Sequence, residues 1–344
     1  MVCRLRTRSC ECETDCRKDR SENNSYRGQN APQIDGYVLC ITPTVTLLQM
    51  ETVRTPESCF EVVTDFPYEP QYREWQGIRL AHVDVGEGPP VLLQHGEPTW
   101  GYLWRKVMLP LLDAGYRCIV PDLPGFGRSD KPVDDGWYTF DRHTDALVTL
   151  VDELDLRDTT LVCHDWGGPI GLRVATIERP ERFSKLVAMD TGLFTGRQRM
   201  SDEWNHFRDF IAAHRDVRVE MPIVGACVTE LSPETVAAYT APFPNADSKA
   251  AVRAFPPLIP MKPDAPGAAE GQATADYLKN DDRPTRLFWA DSDRALPLDP
   301  VGHQVQSLLP SAGPLTVVEN AGHFLQEDRG DYIGAEIVKF LENS

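Results

Sequence analysis

Short apolar segments alternate with longer amphipathic segments from residue 51 to the C-terminus. The apolar segments have the length and hydrophobicity of buried strands, and they lie at 79–85, 90–94, 117–121, 160–163, 185–189, 286–290 and 315–318. The amphipathic segments predict helices at 107–114, 141–154, 167–177 and 332–341. Buried strands that alternate with helices predict an α/β fold, with a mostly parallel sheet covered by helices on both faces.

The alternation stops between residues 192 and 281. This region contains helical pieces at 203–213 and 233–239, and it is dense in proline. A helical insertion between two strands fits this composition better than further strand–helix units do. We therefore predict an α/β core made of two segments, 50–191 and 282–344, with a helical domain at 192–281 between them.

The first 49 residues differ from the rest of the chain. Residues 1–36 are polar and show no helical or strand periodicity, so we predict that 1–49 is a disordered N-terminal extension. Its cysteine cluster resembles half of a metal site, but no second pair with zinc spacing follows, and we predict no metal. Residues 37–50 are too polar, and begin too late, for a signal peptide. A translation start near Met50 is the interpretation we prefer.

The 344-residue chain is acidic, with 35 Lys and Arg against 52 Asp and Glu and a formal net charge of −17. Such a surface repels phosphate, which argues against a nucleic-acid partner, and it offers no polybasic membrane contact. There is no long apolar run, so we predict no membrane-spanning helix. Cysteines after residue 49 are scattered singly, which favours a soluble, cytoplasmic protein. The sequence is compatible with a monomer but does not set the oligomeric state.

The segment HDWGG at 164–168 is the first indication of a catalytic residue. It follows a predicted strand and precedes a predicted helix, which is the context of a nucleophile elbow. The elbow usually presents a serine, and here Asp165 occupies that position. The alternative interpretation is a polar turn in which Asp165 caps the helix N-terminus.

Two further elements favour the nucleophile interpretation. His323 follows the last predicted strand, and Asp293 follows the strand before it. The order Asp165, Asp293, His323 is that of nucleophile, acid and histidine in α/β-hydrolases. Asp190, at the end of another predicted strand, is an alternative acid. We favour Asp293 because of its spacing after the strand at 286–290.

The loop HGEPTW after the strand at 90–94 completes this constellation. A loop in this position supplies one backbone N–H of an oxyanion hole, here that of Glu97. The residue after the nucleophile, Trp166, supplies the other. The glycine-rich segment 124–132 lacks the G-x-G-x-x-G pattern and the chain has no P-loop, so neither motif indicates a nucleotide site.

With these motifs the chain resembles the haloalkane dehalogenases of the α/β-hydrolase superfamily, from about residue 55 to residue 341. The resemblance rests on HGEPTW, PDLPGFGRSDKP, HDWGG, AYTAPFP, VRAFP and AGHFLQED. HGEPTW together with AYTAPFP is quite specific to dehalogenases, whereas HDWGG is shared with epoxide hydrolases. Dehalogenases more often have Gln where His164 stands. The resemblance implies an α/β-hydrolase fold in which 192–281 is a helical cap.

The resemblance also implies a substrate class and a mechanism. Asp165 would displace halide from an sp³ carbon of a small apolar haloalkane and form an alkyl ester. His323, oriented by Asp293, would activate the water that hydrolyses the ester, while the oxyanion hole stabilises the intermediate. The products would be an alcohol, a halide and a proton, with no metal or other cofactor.

The departing halide needs hydrogen-bond donors without negative charge, and an indole N–H is such a donor. Trp166 matches one of the family's two halide-binding tryptophans. The second lies in the first cap helix, where Phe207 aligns with it and Trp204 stands three residues earlier on the same face. Either Trp204 takes over this role, or Phe207 offers only a weakly positive ring edge. Packing within the cap is the alternative interpretation of Trp204.

Two other functions compete with dehalogenation. An epoxide hydrolase would use the same nucleophile, histidine and acid but would need tyrosines in the cap. Tyr239 is one candidate, although it lies in the dehalogenase-like AYTAPFP segment, and Tyr277 is a poor second. A non-catalytic protein that binds a small apolar ligand would need no ionised nucleophile. Hydrolytic dehalogenation is therefore the predicted function.

Overall fold

The strands of the fold coincide with the short apolar segments of the sequence. The computed structural model describes residues 50–344, so the predictions for residues 1–49 lie outside the described residues. The strands are β1 (Thr52–Val53), β2 (Gln71–Trp75), β3 (Ile78–Val85), β4 (Pro90–Gln94), β5 (Arg117–Pro121), β6 (Lys131–Pro132), β7 (Thr159–His164), β8 (Phe183–Met189), β9 (Thr285–Ala290) and β10 (Thr316–Val318). All of the predicted strands are confirmed, as β3, β4, β5, β7, β8, β9 and β10.

Eight strands form one sheet, in the order β2-β3-β5-β4-β7-β8-β9-β10. The pairs from β5 to β10 in this order are parallel, whereas β2–β3 and β3–β5 are antiparallel. The prediction of a mostly parallel sheet is therefore confirmed. β1 and β6 pair separately as a short antiparallel ribbon.

The middle of the sheet is completely buried. Every residue of β7 is buried, and so is every residue of β4 after Pro90. Because successive side chains of a strand point to opposite faces, such burial requires cover on both faces of the sheet. This requirement explains why β4 is a continuous apolar segment rather than an alternating one.

The α-helices cover this sheet and form the insertion. They are α1 (Arg105–Asp113), α2 (Phe140–Glu153), α3 (Gly167–Arg173), α4 (Asp202–Ala213), α5 (Glu220–Ala226), α6 (Pro233–Thr240), α7 (Ala250–Leu258), α8 (Ala268–Leu278), α9 (His303–Leu308) and α10 (Leu325–Glu342). α1 packs against α10, and α3 packs against α2, β7 and α8. The helices α4 to α8 lie between β8 and β9 in the chain, where the sequence predicts a helical insertion. No helix of residues 50–344 has the length and apolar character needed to cross a membrane.

Two elements differ from the sequence-based expectations. The predicted helix at 167–177 is an α-helix only to Arg173 and continues as a π-helical turn, Val174–Glu178. The C-terminal helix begins at Leu325 rather than at residue 332, and it has a kink at Arg329, where φ is −140° and ψ is 27°. The kink interrupts the helical periodicity, so only the part after it shows an unbroken pattern in the sequence.

Strand β2 was not predicted, and it forms a tight hairpin with β3. The two turn residues, Gln76 and Gly77, have φ of 46° and 82°. Two successive positive φ values are typical of the two-residue turn that matches the twist of a hairpin, and glycine adopts them readily. Most of β2 is exposed or half-buried, so its apolar signal is weak.

A buried ion pair joins α1 to α10. Arg105 Nη2 donates to Glu327 Oε2 over 2.8 Å, and both side chains are almost fully buried. The Tyr239 hydroxyl on α6 donates to the other carboxylate oxygen of Glu327. Burial raises the pKa of Glu327, but the bonds and charge of Arg105 outweigh burial and hold it below its ordinary value. Two core helices and one helix of the insertion therefore meet at a single carboxylate.

Glu327→Gln should destabilise the fold by about 3 kcal/mol, because it leaves the buried Arg105 guanidinium without its closest counter-charge. The free energy of unfolding, measured by urea titration, tests this. The matched control is Arg157→Gln, which breaks the exposed pair with Asp155 and should cost less than about 1 kcal/mol. Equal effects of the two substitutions would show that the buried pair contributes no more than a surface pair.

Candidate active site

The candidate catalytic residues meet at the carboxyl ends of the parallel strands. Asp165 directly follows β7, Glu97 lies in the loop after β4, Asp293 follows β9, and His323 lies in the loop after β10. Neighbouring parallel strands end at the same edge of a sheet, which brings residues distant in sequence together. The constellation predicted from strand-end positions is thus assembled at one place.

Asp165 lies on a sharp turn between β7 and α3. Its φ is 50°, an unusual value for a residue with a side chain. The backbone around it is held on both sides: its N–H donates to the Asp190 carbonyl over 3.2 Å. Its own carbonyl accepts from the Thr191 hydroxyl over 2.6 Å. These bonds maintain the strained elbow and present the carboxylate above the sheet.

Backbone N–H groups surround one oxygen of this carboxylate. The N–H of Glu97 donates to Asp165 Oδ1 over 2.7 Å. The Trp166 N–H also favours the ionised form of Asp165 by hydrogen bonding. Gly96 makes this approach possible, since a Cβ there would lie 2.2 Å from Asp165 Oδ1 and 2.5 Å from Trp166 N. Both predicted oxyanion-hole donors therefore act on the Asp165 carboxylate.

His323 bridges two carboxylates. Its Nδ1 lies 2.7 Å from Asp293 Oδ2, and its Nε2 lies 3.4 Å from Asp165 Oδ2. The other oxygen of Asp293 accepts from the N–H groups of Ala295 and Leu296, over 2.7 and 3.0 Å. Asp293 is thereby fixed in place and orients the imidazole toward Asp165.

The alternative acid, Asp190, has a different partner. Its carboxyl accepts from the N–H of Ala290 over 3.0 Å, and its side chain is fully buried. Burial, and secondly the negative charge of Asp293, raise the pKa of Asp190 well above its ordinary value. Asp293 rather than Asp190 thus contacts the histidine, and the surroundings of Asp190 favour its neutral form.

The charges of the site stabilise one another. Burial alone raises the pKa of Asp165 and of Asp293, but the hydrogen bonds and charge of His323 outweigh it and lower both. Burial lowers the pKa of His323, but the two carboxylates outweigh it and raise that pKa well above 6.5. The resting site therefore holds an imidazolium between two carboxylates.

Two residues that the sequence analysis did not assign support His323. His164 Nε2 lies 2.8 Å from the His323 carbonyl. Burial lowers the pKa of His164 to about 3, so its ring is neutral and Nε2–H is the donor. Asp328 Oδ2 accepts from the N–H of Gly322 over 2.8 Å, and Oδ1 accepts from that of Thr229 over 2.7 Å. Asp328 lies in the AGHFLQED motif, but nothing in its spacing indicates these bonds.

A cavity of about 130 Å³ opens above Asp165. Core residues Glu97, Trp166 and His323 line one part of it, and apolar and aromatic residues line the rest, including Phe194, Met200, Trp204, Phe207, Pro222 and Ile259. A cavity of about 150 Å³ is known to hold a benzene-sized molecule. The site is therefore suited to a small apolar ligand.

Both residues considered for the second halide position face this cavity. Trp204 and Phe207 lie one turn apart on α4, and both are half-buried. Trp166 is almost fully buried and lines the same cavity. The cavity thus offers an indole from the core and a second indole from α4.

The side chain of Glu97 is a feature that sequence reasoning missed. Only its backbone N–H was predicted to act, but its carboxyl group also lines the cavity and is 8% exposed. Its Oε1 is buried and has no hydrogen-bond partner in the part of the chain that the structure describes. Burial, and secondly the charge of Asp165, raise the pKa of Glu97 well above its ordinary value. The surroundings of this carboxyl group therefore favour its protonated form.

The tyrosines that an epoxide hydrolase would require lie elsewhere. Tyr239 is fully buried and its hydroxyl is bonded to Glu327, and Tyr277 is exposed on α8. Neither lines the cavity. Residues 50–344 also contain no cluster of three or more His, Cys, Asp or Glu side chains suited to hold a metal ion.

Comparisons with known proteins agree with this geometry. The model of the α/β hydrolase fold family matches residues 89–330. A haloalkane dehalogenase of Psychrobacter cryohalolentis is 38% identical over 86% of this chain and 99% of its own length. One from Mycolicibacterium paratuberculosis is 37% identical over 85% of this chain and 99% of its own.

Solved structures give the same result. The haloalkane dehalogenase DpaA from Paraglaciecola agarilytica NO2, described as tetrameric, superposes with a TM-score of 0.78 at 32% identity, covering 86% of this chain and 99% of its own. DbeA from Bradyrhizobium elkani superposes with a TM-score of 0.70 at 26% identity, covering 80% and 97%. The resemblance seen in the sequence is confirmed. Since it extends over most of both chains, this chain belongs to the haloalkane dehalogenases of the α/β-hydrolase fold.

Proposed function

We propose that this enzyme hydrolyses small haloalkanes through a covalent alkyl ester on Asp165, with His323 as base and Asp293 as the acid that orients it. The observation that carries the proposal is that the two carboxylate oxygens of Asp165 have different contacts. Its Oδ1 accepts the Glu97 N–H over 2.7 Å, while its Oδ2 lies 3.4 Å from His323 Nε2, and Asp165 lines the cavity. One oxygen is held by the oxyanion hole and the other is available to react.

In the first step Asp165 Oδ2 attacks the carbon that bears the halogen. The new C–O bond forms as the carbon–halogen bond breaks, and the bonding pair leaves with the halide. An apolar cavity favours this step, since it holds the substrate against the nucleophile and excludes bulk water from the carboxylate.

In the second step water attacks the ester carbonyl. His323 takes one proton of the water, Asp293 stabilises the resulting imidazolium, and Glu97 N–H and Trp166 N–H stabilise the oxyanion on Oδ1. The bond from Cγ to Oδ2 then breaks, the alkyl oxygen takes the proton from His323 and leaves as the alcohol, and the regenerated carboxyl group of Asp165 releases a proton. Ester formation also helps His323 to act as the base. It removes the negative charge of Asp165, which is one cause of the raised pKa of His323, so the imidazole loses its proton more readily.

The halide is proposed to bind to the indole N–H groups of Trp166 and Trp204. Trp166 adjoins the nucleophile, and Trp204 faces the same cavity from α4. Phe207 then forms part of the apolar wall, since its ring has no N–H.

The helical segment 192–281 is proposed to be the cap, inserted between core segments 50–191 and 282–344. Trp204, Phe207 and Pro222 from this segment line one side of the cavity. Assignment to the cytoplasm is supported by the cysteines of the described part, which are all free. All the residues of the site belong to a single chain, so a monomer can carry the reaction.

The purified enzyme should release bromide from 1-bromobutane and 1,2-dibromoethane, and should form no diol from styrene oxide. Asp165→Ala should lower bromide release by about three orders of magnitude or more, since no nucleophile remains. Bromide release and diol formation are measured in parallel. Asp276→Ala, which changes an exposed aspartate of α8, is the matched control. Diol formation without bromide release would contradict the proposal.

His323→Gln should form the alkyl-enzyme but hydrolyse it about 10² to 10⁴ times more slowly, because the general base is lost. Intact-protein and peptide mass spectrometry should show one butyl group on Asp165 after exposure to 1-bromobutane. His303→Gln changes an exposed histidine and should accumulate no adduct. Normal turnover by His323→Gln would refute the assigned base.

Trp204→Phe should weaken bromide binding about tenfold to a hundredfold, the effect of removing one hydrogen bond to a charged group. Indole fluorescence titrated with bromide measures this affinity. Trp137→Phe, at a position that does not line the cavity, is the matched control. Unchanged affinity in Trp204→Phe would make Trp204 a packing residue.

A further inference from the structure

The loop between β10 and α10 (the base loop) carries His323 and is attached to the insertion as well as to the core. Asp328 Oδ2 accepts the N–H of Gly322, the residue before His323, over 2.8 Å. The same oxygen accepts the N–H of Val228 over 3.0 Å, and Oδ1 accepts that of Thr229 over 2.7 Å. Val228 and Thr229 follow α5, a helix of the insertion. One carboxylate therefore binds both the base loop and the segment after α5.

The close approach of Gly322 is independent evidence for this junction. A Cβ at Gly322 would lie 2.1 Å from the Ala226 carbonyl oxygen, so the backbone of the base loop lies directly against the end of α5. Glycine permits such an approach because it has no side chain. α5 also forms part of the cavity wall, since Pro222 and Ala226 line the cavity above Asp165. The loop that carries the base thus contacts a helix that encloses the cavity.

Two further side chains fix the base loop from the core. The Asp291 carboxylate, directly after β9, accepts two backbone N–H groups of the loop over 2.9 and 3.3 Å. The His164 ring, at the end of β7, donates to the His323 carbonyl over 2.8 Å. These bonds hold the loop relative to the sheet, whereas the bonds of Asp328 hold it relative to α5.

We propose that Asp328 is a positioning residue for hydrolysis of the alkyl ester, and that it makes the placement of His323 depend on the position of α5. The inference rests on the proposed function, because it assigns a role in the second step of that reaction. Asp328 does not line the cavity and acts on the reaction through the base loop.

The two chemical steps make different demands on His323. In ester formation Asp165 attacks carbon directly, and no proton passes through the imidazole. In ester hydrolysis His323 must take a proton from a water molecule that also lies within reach of the ester carbonyl. A misplacement of about 1 Å can cost about 10² in rate. A displaced base loop therefore slows hydrolysis more than ester formation.

The junction also relates the base to the enclosure of the cavity. While α5 lies against the base loop, its residues Pro222 and Ala226 complete the cavity wall and His323 is held next to Asp165. A displacement of α5 either breaks its bonds to Asp328 or moves the carboxylate that holds the base loop. Hydrolysis is therefore fastest while the cavity is enclosed.

The first experiment changes the carboxylate. Asp328→Ala removes all three N–H bonds, whereas Asp328→Asn keeps one acceptor oxygen. Rates of butyl-ester formation and of ester hydrolysis are measured separately by rapid quench with 1-bromobutane. Asp328→Ala should slow hydrolysis about tenfold to a hundredfold and ester formation less than about threefold, with Asp328→Asn between Asp328→Ala and the wild type. Asp331→Ala, which changes an exposed aspartate of the same helix, is the control and should match the wild type in both steps.

The second experiment tests the link from the side of α5. Thr229→Pro removes the N–H that Asp328 Oδ1 accepts, whereas Thr229→Ala keeps it. Thr229 is exposed and lies outside the base loop. Thr229→Pro should slow ester hydrolysis about threefold to tenfold and leave ester formation unchanged, while Thr229→Ala should equal the wild type. Hydrogen exchange followed by mass spectrometry should be faster in the base loop of Thr229→Pro and of Asp328→Ala.

Thermal unfolding separates positioning from stability. Asp328 lies in the first turn of α10, where a negative charge also stabilises the helix. Lower stability with equal slowing of both steps would make Asp328 a structural residue and overturn the inference. Normal ester hydrolysis in Asp328→Ala would overturn it as well.

The link to α5 has its own contradicting result, which is unchanged hydrolysis and unchanged hydrogen exchange of the base loop in a folded Thr229→Pro. Failure of the proposed function is distinguishable from these outcomes. The wild type would then form no butyl ester, while hydrogen exchange would still report whether Asp328 holds the base loop to α5.

Discussion

The site depends on keeping one carboxylate, Asp165, ionised at the base of an apolar cavity. Burial alone would favour its neutral form. The backbone N–H groups of Glu97 and Trp166 and the imidazolium of His323 reverse that preference. All three act from fixed positions, because the first two lie on the backbone and His323 is clamped by Asp293. The nucleophile is therefore charged before any substrate enters, and the protein need not reorganise to charge it.

This requirement explains the placement of residues further out. His323 must stay within reach of Asp165, and its loop is fixed by the His164 ring and by the Asp328 carboxylate, which also binds the backbone of Thr229 in the insertion. The neighbouring Glu327 joins α1, α10 and α6. The AGHFLQED segment thus carries the base and, within five residues, the side chains that attach its loop to both the core and the insertion.

The sequence predicts those features that follow from local pattern and chain order. Short buried strands reveal the parallel sheet, and a residue within a few positions after such a strand, such as Asp165 or Asp293, lies near the sheet's carboxyl edge. The half-exposed strand β2 and the kink at Arg329 have no comparable pattern. Burial of the Glu97 side chain depends on residues from several distant segments, so spacing alone reveals its backbone role and not its side-chain environment.

Four carboxyl groups near His323 have pKa values shifted in two directions, because their environments differ. Asp165 and Asp293 each contact one imidazole nitrogen and accept backbone N–H bonds, and their pKa values are lowered. Asp190 and Glu97 are also buried, but burial and the negative charges of Asp293 and Asp165, respectively, raise their pKa values. One imidazolium stabilises two carboxylates. A third or fourth ionised carboxyl group would have no positive charge of its own to stabilise it in a medium of low polarity. The raised pKa values of Asp190 and Glu97 are thus, after burial, a consequence of the ionised pair beside them.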